Sequence, residues 1–148
     1  MNVKYNDLEN KRVFITGGGS GIGSSIVEHF CAQGSEVYFI DINVSESKKL
    51  IDEIKNKNFS VPTFIECDLL NIKQLQQTIS NIIKEKGPIN ILINNAANDT
   101  RHKIDDVTEE YWNERMNVNL RHFFFTVQSV KKSMIENGGG SIINMGST

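Results

Sequence analysis

Arg12-Val13-Phe14-Ile15-Thr16-Gly17-Gly18-Gly19-Ser20-Gly21-Ile22-Gly23 is the stretch that decides the fold. An apolar run, Val13 to Ile15, stops at a cluster of glycines. Beyond the cluster, Ile22, Ile26, Val27 and Phe30 recur at helical spacing. This reads as strand, tight turn, helix, the setting in which a glycine-rich loop signals nucleotide binding. Gly17 lets the chain turn sharply, Gly21 keeps side chains away from a phosphate, and Gly23 lets the helix pack close to the strand. With Gly19, Ser20 and Ile22 they form the candidate phosphate loop. Free N–H groups and the positive end of the helix dipole would face the anion. The spacing Thr-Gly-x-x-x-Gly-x-Gly differs from both Gly-x-Gly-x-x-Gly and the phosphate loop that ends in Gly-Lys-Ser/Thr.

Strand-like and helix-like segments alternate outward from this stretch. Strands are expected at Val13–Thr16, Glu36–Asp41, Pro62–Glu66, Ile89–Asn94 and Ser141–Asn144. Helices are expected at Gly21–Gln33, after a cap at Ser45, after a cap at Asn71, and from Thr108 to Asn137 as one long rod. Continuous apolar strands between helices predict an α/β fold, a Rossmann-type doubly wound parallel sheet with strand order 3-2-1-4-5. Residues 1–148 read as one domain. Ligands in such a sheet bind beyond the carboxyl ends of the strands, in the crevice beside strand one.

The composition narrows the function. The chain has 148 residues, 39% hydrophobic and 23% charged, with a formal net charge of −2. No basic field indicates nucleic acid or a membrane surface. The opening residues lack an apolar signal core, no run is long enough to span a bilayer, and Cys31 and Cys67 read as buried reduced thiols. The expectation is a cytoplasmic protein. His29, His102 and His122 are scattered, so no metal is assigned.

The remaining candidates lie at strand ends. Asp41 ends strand two about twenty residues past the glycine loop, where a carboxylate accepts ribose hydroxyls and repels a 2′-phosphate. With no Lys or Arg beside it, the cofactor reading is NAD over NADP; the alternative is an ordinary acidic strand end. Asp68 and Leu69 follow strand three, placed for an adenine amino group and ring face, although Asp there also forms turns. Asn94, Asn95, Ala96 and Ala97 end strand four. Their small side chains admit a flat ring and their amides tie strands together, unless they form a plain turn. Asn119 interrupts an apolar helix, where asparagine competes for backbone hydrogen bonds. Ser147 follows strand five. Asn98, Asp99, Arg101 and His102 form a polar loop able to bind a polyhydroxylated substrate or simply to be solvated.

Together Thr16-Gly17-x-x-x-Gly21-x-Gly23, Asp68-Leu69, Asn94-Asn95-Ala96, Asn119 within Val-Asn-Leu, and Ser147 after Ser-Ile-Ile-Asn resemble the N-terminal part of a short-chain dehydrogenase/reductase. Asn98 to Lys103, Tyr111 to Arg115 and Asn117 to His122 sharpen the resemblance toward NAD-dependent sugar dehydrogenases that oxidise aldoses such as xylose. Ala97 departs from the glycine usual in the family. The resemblance implies NAD as cofactor, Asn119 and Ser147 as catalytic residues, oxidation of an aldose at C1 to a lactone, and a homo-oligomer. It also implies a Tyr-x-x-x-Lys, with the tyrosine as acid/base, and no such motif occurs in these 148 residues. The expectation is a chain cut before the sixth and seventh strands, with little turnover of its own. The rivals are a non-catalytic NAD-binding module, a short-chain reductase of another carbonyl such as a 3-oxoacyl carrier, and a methyltransferase. The Asn94–Ala97 motif counts against the last.

Overall fold

The computed structural model describes residues 3–146. Ser147 lies outside the described residues. Five strands, β1 (Arg12–Thr16), β2 (Glu36–Asp41), β3 (Thr63–Glu66), β4 (Ile91–Asn94) and β5 (Ser141–Asn144), form one sheet in the order β3-β2-β1-β4-β5. Every pairing is parallel, and Thr16 lies level with Ile40 and Asn94. The carboxyl ends of the strands therefore share one rim, as the alternating pattern predicted.

Five helices flank the sheet: α1 (Gly21–Ala32), α2 (Val44–Asn56), α3 (Ile72–Lys86), α4 (Glu109–Met116) and α5 (His122–Glu136). One face of the sheet packs Val13, Ile15, Val37, Phe39 and Ile93 against Val27, Leu50 and Ile54 of α1 and α2. The other packs Phe14, Tyr38, Ile40 and Leu92 against Leu75, Ile79, Val130 and Met134 of α3 and α5. Alternate residues of each central strand thus enter different cores, which is why these strands are apolar throughout. The outer strands are wetter. Ile142 and Ile143 of β5, at the sheet edge, stay 40% and 44% exposed.

Several boundaries differ from the sequence reading. Asn43, not Ser45, caps α2, its Oδ1 accepting the Glu46 N–H at 3.1 Å. β3 begins at Thr63 because Pro62 has no N–H to give a ladder. β4 begins at Ile91, and the preceding Asn90 instead accepts the Arg12 N–H through its side chain. α1 stops at Ala32, with Gly34 in the left-handed region two residues later. Thr108 caps α4 as expected, its Oγ1 accepting from the Tyr111 N–H at 3.2 Å.

The long rod expected from Thr108 to Asn137 does form, with a defect inside it. Between α4 and α5, Asn117–Arg121 widens into a π-helical turn while its flanking residues keep right-handed helical dihedrals. Such turns favour functional sites because they free backbone groups and redirect side chains. Beyond it, Thr126 donates to Asn94 Oδ1 at 2.7 Å, and Asn94 Nδ2 donates to Asn144 Oδ1 at 2.8 Å. This chain of side chains ties α5 to β4 and β5. Replacing Thr126 by Val should leave the buried Asn94 oxygen without its donor and cost about 1–3 kcal/mol, read as a lower urea midpoint with an unchanged m-value.

Candidate functional site

A cleft of about 900 Å³ opens at the carboxyl rim, where the loops after β1, β2, β3 and β4 meet. Gly17 turns the chain out of β1 with φ of +66°, and a Cβ there would meet the Ala96 Cα at 2.7 Å. A Cβ on Gly23 would sit 1.8 Å from the Gly17 carbonyl oxygen. α1 can therefore start against the turn only if that position is glycine. At the start of α1, the N–H groups of Gly21, Ile22 and Gly23 find no acceptor among the described residues. They are the unpaired donors every helix start presents, and they face the cleft.

Asp41 crosses from β2 to this loop. Its Oδ2 accepts the Gly19 N–H and its Oδ1 the Asn43 N–H, each at 2.8 Å. Each oxygen keeps acceptor capacity toward the cleft. Gly19 itself is buried behind the loop and commits its N–H to Asp41, so it supports the loop and does not line the cleft, contrary to the expectation. Asp68 is exposed at the cleft, its Oδ1 also accepting the Leu70 N–H at 2.9 Å. Leu69 lines the cleft but is only 8% exposed and packs largely in the core, whereas Leu70 and Ile42, 42% and 71% exposed, present more apolar surface at the rim. An apolar residue directly after Asp41 was the available signal for Ile42.

Asn95 ties the glycine turn to β4. Its Nδ2 donates to the carbonyls of Thr16 and Gly17 at 3.1 and 2.9 Å. Thr16 Oγ1 accepts the N–H groups of Asn95 and Ala96 at 3.0 and 3.1 Å. With both lone pairs used, its own proton points at His122 Nε2, 3.3 Å away. The network thus assigns the hydrogen of His122 to Nδ1, which donates to the Val118 carbonyl at 2.6 Å. Thr16 and His122 were not among the candidates, because a threonine before a glycine and a lone histidine carry no distinctive spacing.

Asn119 grips the loop after β4. Its Oδ1 accepts the Asn98 N–H at 2.7 Å and its Nδ2 donates to the Asn98 carbonyl at 3.1 Å. The oxygen and the nitrogen of one amide thus hold both backbone groups of Asn98, so Asn119 acts as a bracket for the loop. Asn98 and Asp99 line the cleft. Arg101 and His102 do not: His102 stacks on Tyr111 with ring centroids 4.0 Å apart, and the Tyr111 hydroxyl donates to the Thr100 carbonyl at 2.6 Å. Among the described residues the cleft is lined by the carboxylates Asp41, Asp68, Asp99 and Glu114 and by no Lys or Arg. No cluster suited to a metal ion occurs among the described residues. A second hollow of about 550 Å³, near Glu36, Thr63 and Glu85 toward the amino ends of β2 and β3, shares no residue with the cleft.

Known proteins match this geometry. Residues 11–148 fit the family model described as short chain dehydrogenase. The chain belongs to the short-chain dehydrogenase family. Over 143 residues it is 46% identical to a D-xylose 1-dehydrogenase of Caulobacter vibrioides, covering 97% of this chain and 56% of that protein. It is 32% identical to an NAD-dependent glycerol dehydrogenase of Listeria innocua, covering 95% of this chain and 54% of that one. Among solved structures, the ligand-free aldohexose dehydrogenase of Thermoplasma acidophilum superposes with a TM-score of 0.82 at 31% identity, over 97% of this chain and 51% of that one. The chain spans about half the length of the relatives it matches. No helix among its described residues is long and apolar enough to cross a membrane.

His122 is fully buried, and desolvation by burial pulls its pKa down to about 4, against a smaller upward pull from the Val118 carbonyl. Between pH 6.5 and 4 the unfolded chain therefore binds a proton that the folded chain excludes. The group is without effect on folding above pH 6.5 and destabilises the folded state progressively as the pH falls toward 4, by about 3 kcal/mol in all. In urea titrations across that window, His122→Gln should flatten the fall seen for the unsubstituted chain.

Proposed function

We propose that residues 1–148 form the NAD-binding part of an oxidoreductase that oxidises an aldose, such as xylose, at C1 to a lactone. The observation that carries the cofactor reading is the pairing of unpartnered α1 N–H groups with Asp41 across a cleft lined by carboxylates and by no Lys or Arg. Gly21, Ile22 and Gly23 would donate to the pyrophosphate, aided by the helix dipole, with Ser20 at the helix cap and Gly17 holding the turn. Asp41 would accept both hydroxyls of the adenosine ribose, and a 2′-phosphate would meet its charge unneutralised. Asp68 would receive the adenine amino group between Ile42 and Leu70. Asn95 and Ala96 leave room for the nicotinamide ring. When bound, the nicotinamide supplies the acceptor for a hydride.

Asn119 and Ser147 are assigned to the substrate end by the family resemblance, Asn119 through its hold on Asn98. Asn98 and Asp99 are the proposed sugar contacts, and Arg101 and His102 support their loop from behind. The sugar reading is supported by the xylose and aldohexose dehydrogenases among the similar proteins. A positioned acid/base typically contributes 10²–10⁴-fold in rate, and residues 1–148 contain no Tyr-x-x-x-Lys. The proposal is that they bind NAD without turning it over and that the longer protein supplies the acid/base. Trp112, Met116, Leu120 and Phe124, spaced four apart and 60%, 39%, 53% and 64% exposed, form the face we assign to contact with a second copy.

Calorimetry on the folded chain is expected to show NAD binding, with NADP weaker by at least tenfold. Asp41→Ala should weaken NAD by about 10- to 100-fold, the loss of hydrogen bonds to a charged group, and narrow the preference over NADP. Adding xylose should produce no reduced nicotinamide. An absence of NAD binding by a well-folded sample would overturn the cofactor reading. For the assembly, light scattering on the full-length protein should give a dimer or larger, and Phe124→Asp should shift it toward monomer.

A further inference from the structure

The π-helical turn reaches two of the loops that build the cleft and, through His122 just beyond it, the end of β1. From its middle, Asn119 holds the backbone of Asn98 after β4. The Val118 carbonyl is held by His122, whose other nitrogen faces Thr16 at the end of β1. From its last residue, Arg121 sends Nη2 to the Leu70 carbonyl after β3, at 2.9 Å. The Leu70 N–H is meanwhile held by Asp68 Oδ1, and Asn71 caps α3 through the Gln74 N–H at 3.1 Å. The turn that carries Asp68 and Leu70 is thus fastened where it enters α3, by the Asn71 cap and by Arg121 on the adjoining Leu70 carbonyl. An ordinary α-helical turn holds one residue fewer, so the inserted residue changes which side chains point at the rim.

We infer that Arg121 is a positioning residue for the adenosine half of the cofactor site. It holds the Asp68–Leu70 wall at the distance a bound adenine needs, through a charge-assisted hydrogen bond to the Leu70 carbonyl. Its guanidinium does not line the cleft, so its effect travels through the turn. The inference rests on the reading of this cleft as a dinucleotide site. It adds a residue on the far helix that fixes adenosine affinity, and it makes the π-turn a brace joining the adenine wall to the loop that Asn119 holds.

The test compares unsubstituted chain, Arg121→Gln and Arg121→Lys by calorimetry with NAD and with ADP-ribose. Arg121→Gln is expected to weaken both ligands by the same factor, roughly tenfold, one lost charge-assisted hydrogen bond's worth of fixed geometry. Arg121→Lys, which keeps a charged donor where glutamine offers only a shorter neutral one, should recover most of that affinity. Amide exchange at Leu70 and Asn71 in the ligand-free chain should quicken in Arg121→Gln and return toward normal in Arg121→Lys, while exchange within β1 and β4 stays unchanged. Binding by the unsubstituted chain with equal affinity in Arg121→Gln would overturn this inference and leave the dinucleotide reading standing. Failure of the unsubstituted, folded chain to bind either ligand would overturn both. If Arg121→Gln does not fold, Arg121→Lys still decides, since quickened exchange across the whole sheet would assign Arg121 to folding alone.

Discussion

The hydroxyl of Thr16 is the point on which the site depends. It sits fully buried at the end of the central strand, accepting two N–H groups from the loop after β4 and facing the ring of His122 on α5. A buried hydroxyl must be satisfied, and here it is satisfied by both neighbours of the crevice at once. β1 and β4 can therefore part only beyond Thr16, and the glycine turn leaves the sheet at a fixed place. Asn95 repeats the tie one residue on, through the carbonyls of Thr16 and Gly17. The cleft is held open by hydrogen bonds to backbone, which fix the α1 donors and Asp41 on the lining of the same space.

Around this point the cleft divides into two halves with different holders. Asp41, Gly19 and Asn43 brace the side next to α1 and α2. The π-turn braces the far side, reaching the loops after β3 and β4. The mechanical logic is that loops carry the chemistry while a helix and a strand end hold them. The neutral, buried His122 is part of that bracing, and its low pKa follows from the same burial that lets it reach Thr16.

The sequence conveyed much of this through simple spacing. The parallel order of the strands followed from alternating elements and from strands apolar on both faces. The placement of Asp41 beside the glycine loop at one rim was legible because a single strand-helix-strand unit brings the end of the next strand next to the first turn. Strand-tying by Asn94 and Asn95 was legible from two amides where two strands must part. Which of Leu69 and Leu70 would be the more exposed was not legible, because only packing decides which of two adjacent leucines turns inward. The direction of Arg101 and His102 was not legible because a polar loop does not declare which way it folds, and His102 stacks on Tyr111 instead of lining the cleft.

What the sequence determined by itself is the layering: strands apolar on both faces and helices with a 3.6-residue hydrophobic period, with glycines where a side chain would collide, specify this sheet and these helices. What only the tertiary structure decided is the bracing: the π-turn in the long helix, the buried Thr16–His122 pair and the reach of Arg121 to Leu70. Those contacts join residues 51 and 106 positions apart. Local periodicity reports which face of an element is apolar, but it holds no information about which polar groups from distant elements will be buried together and must pair.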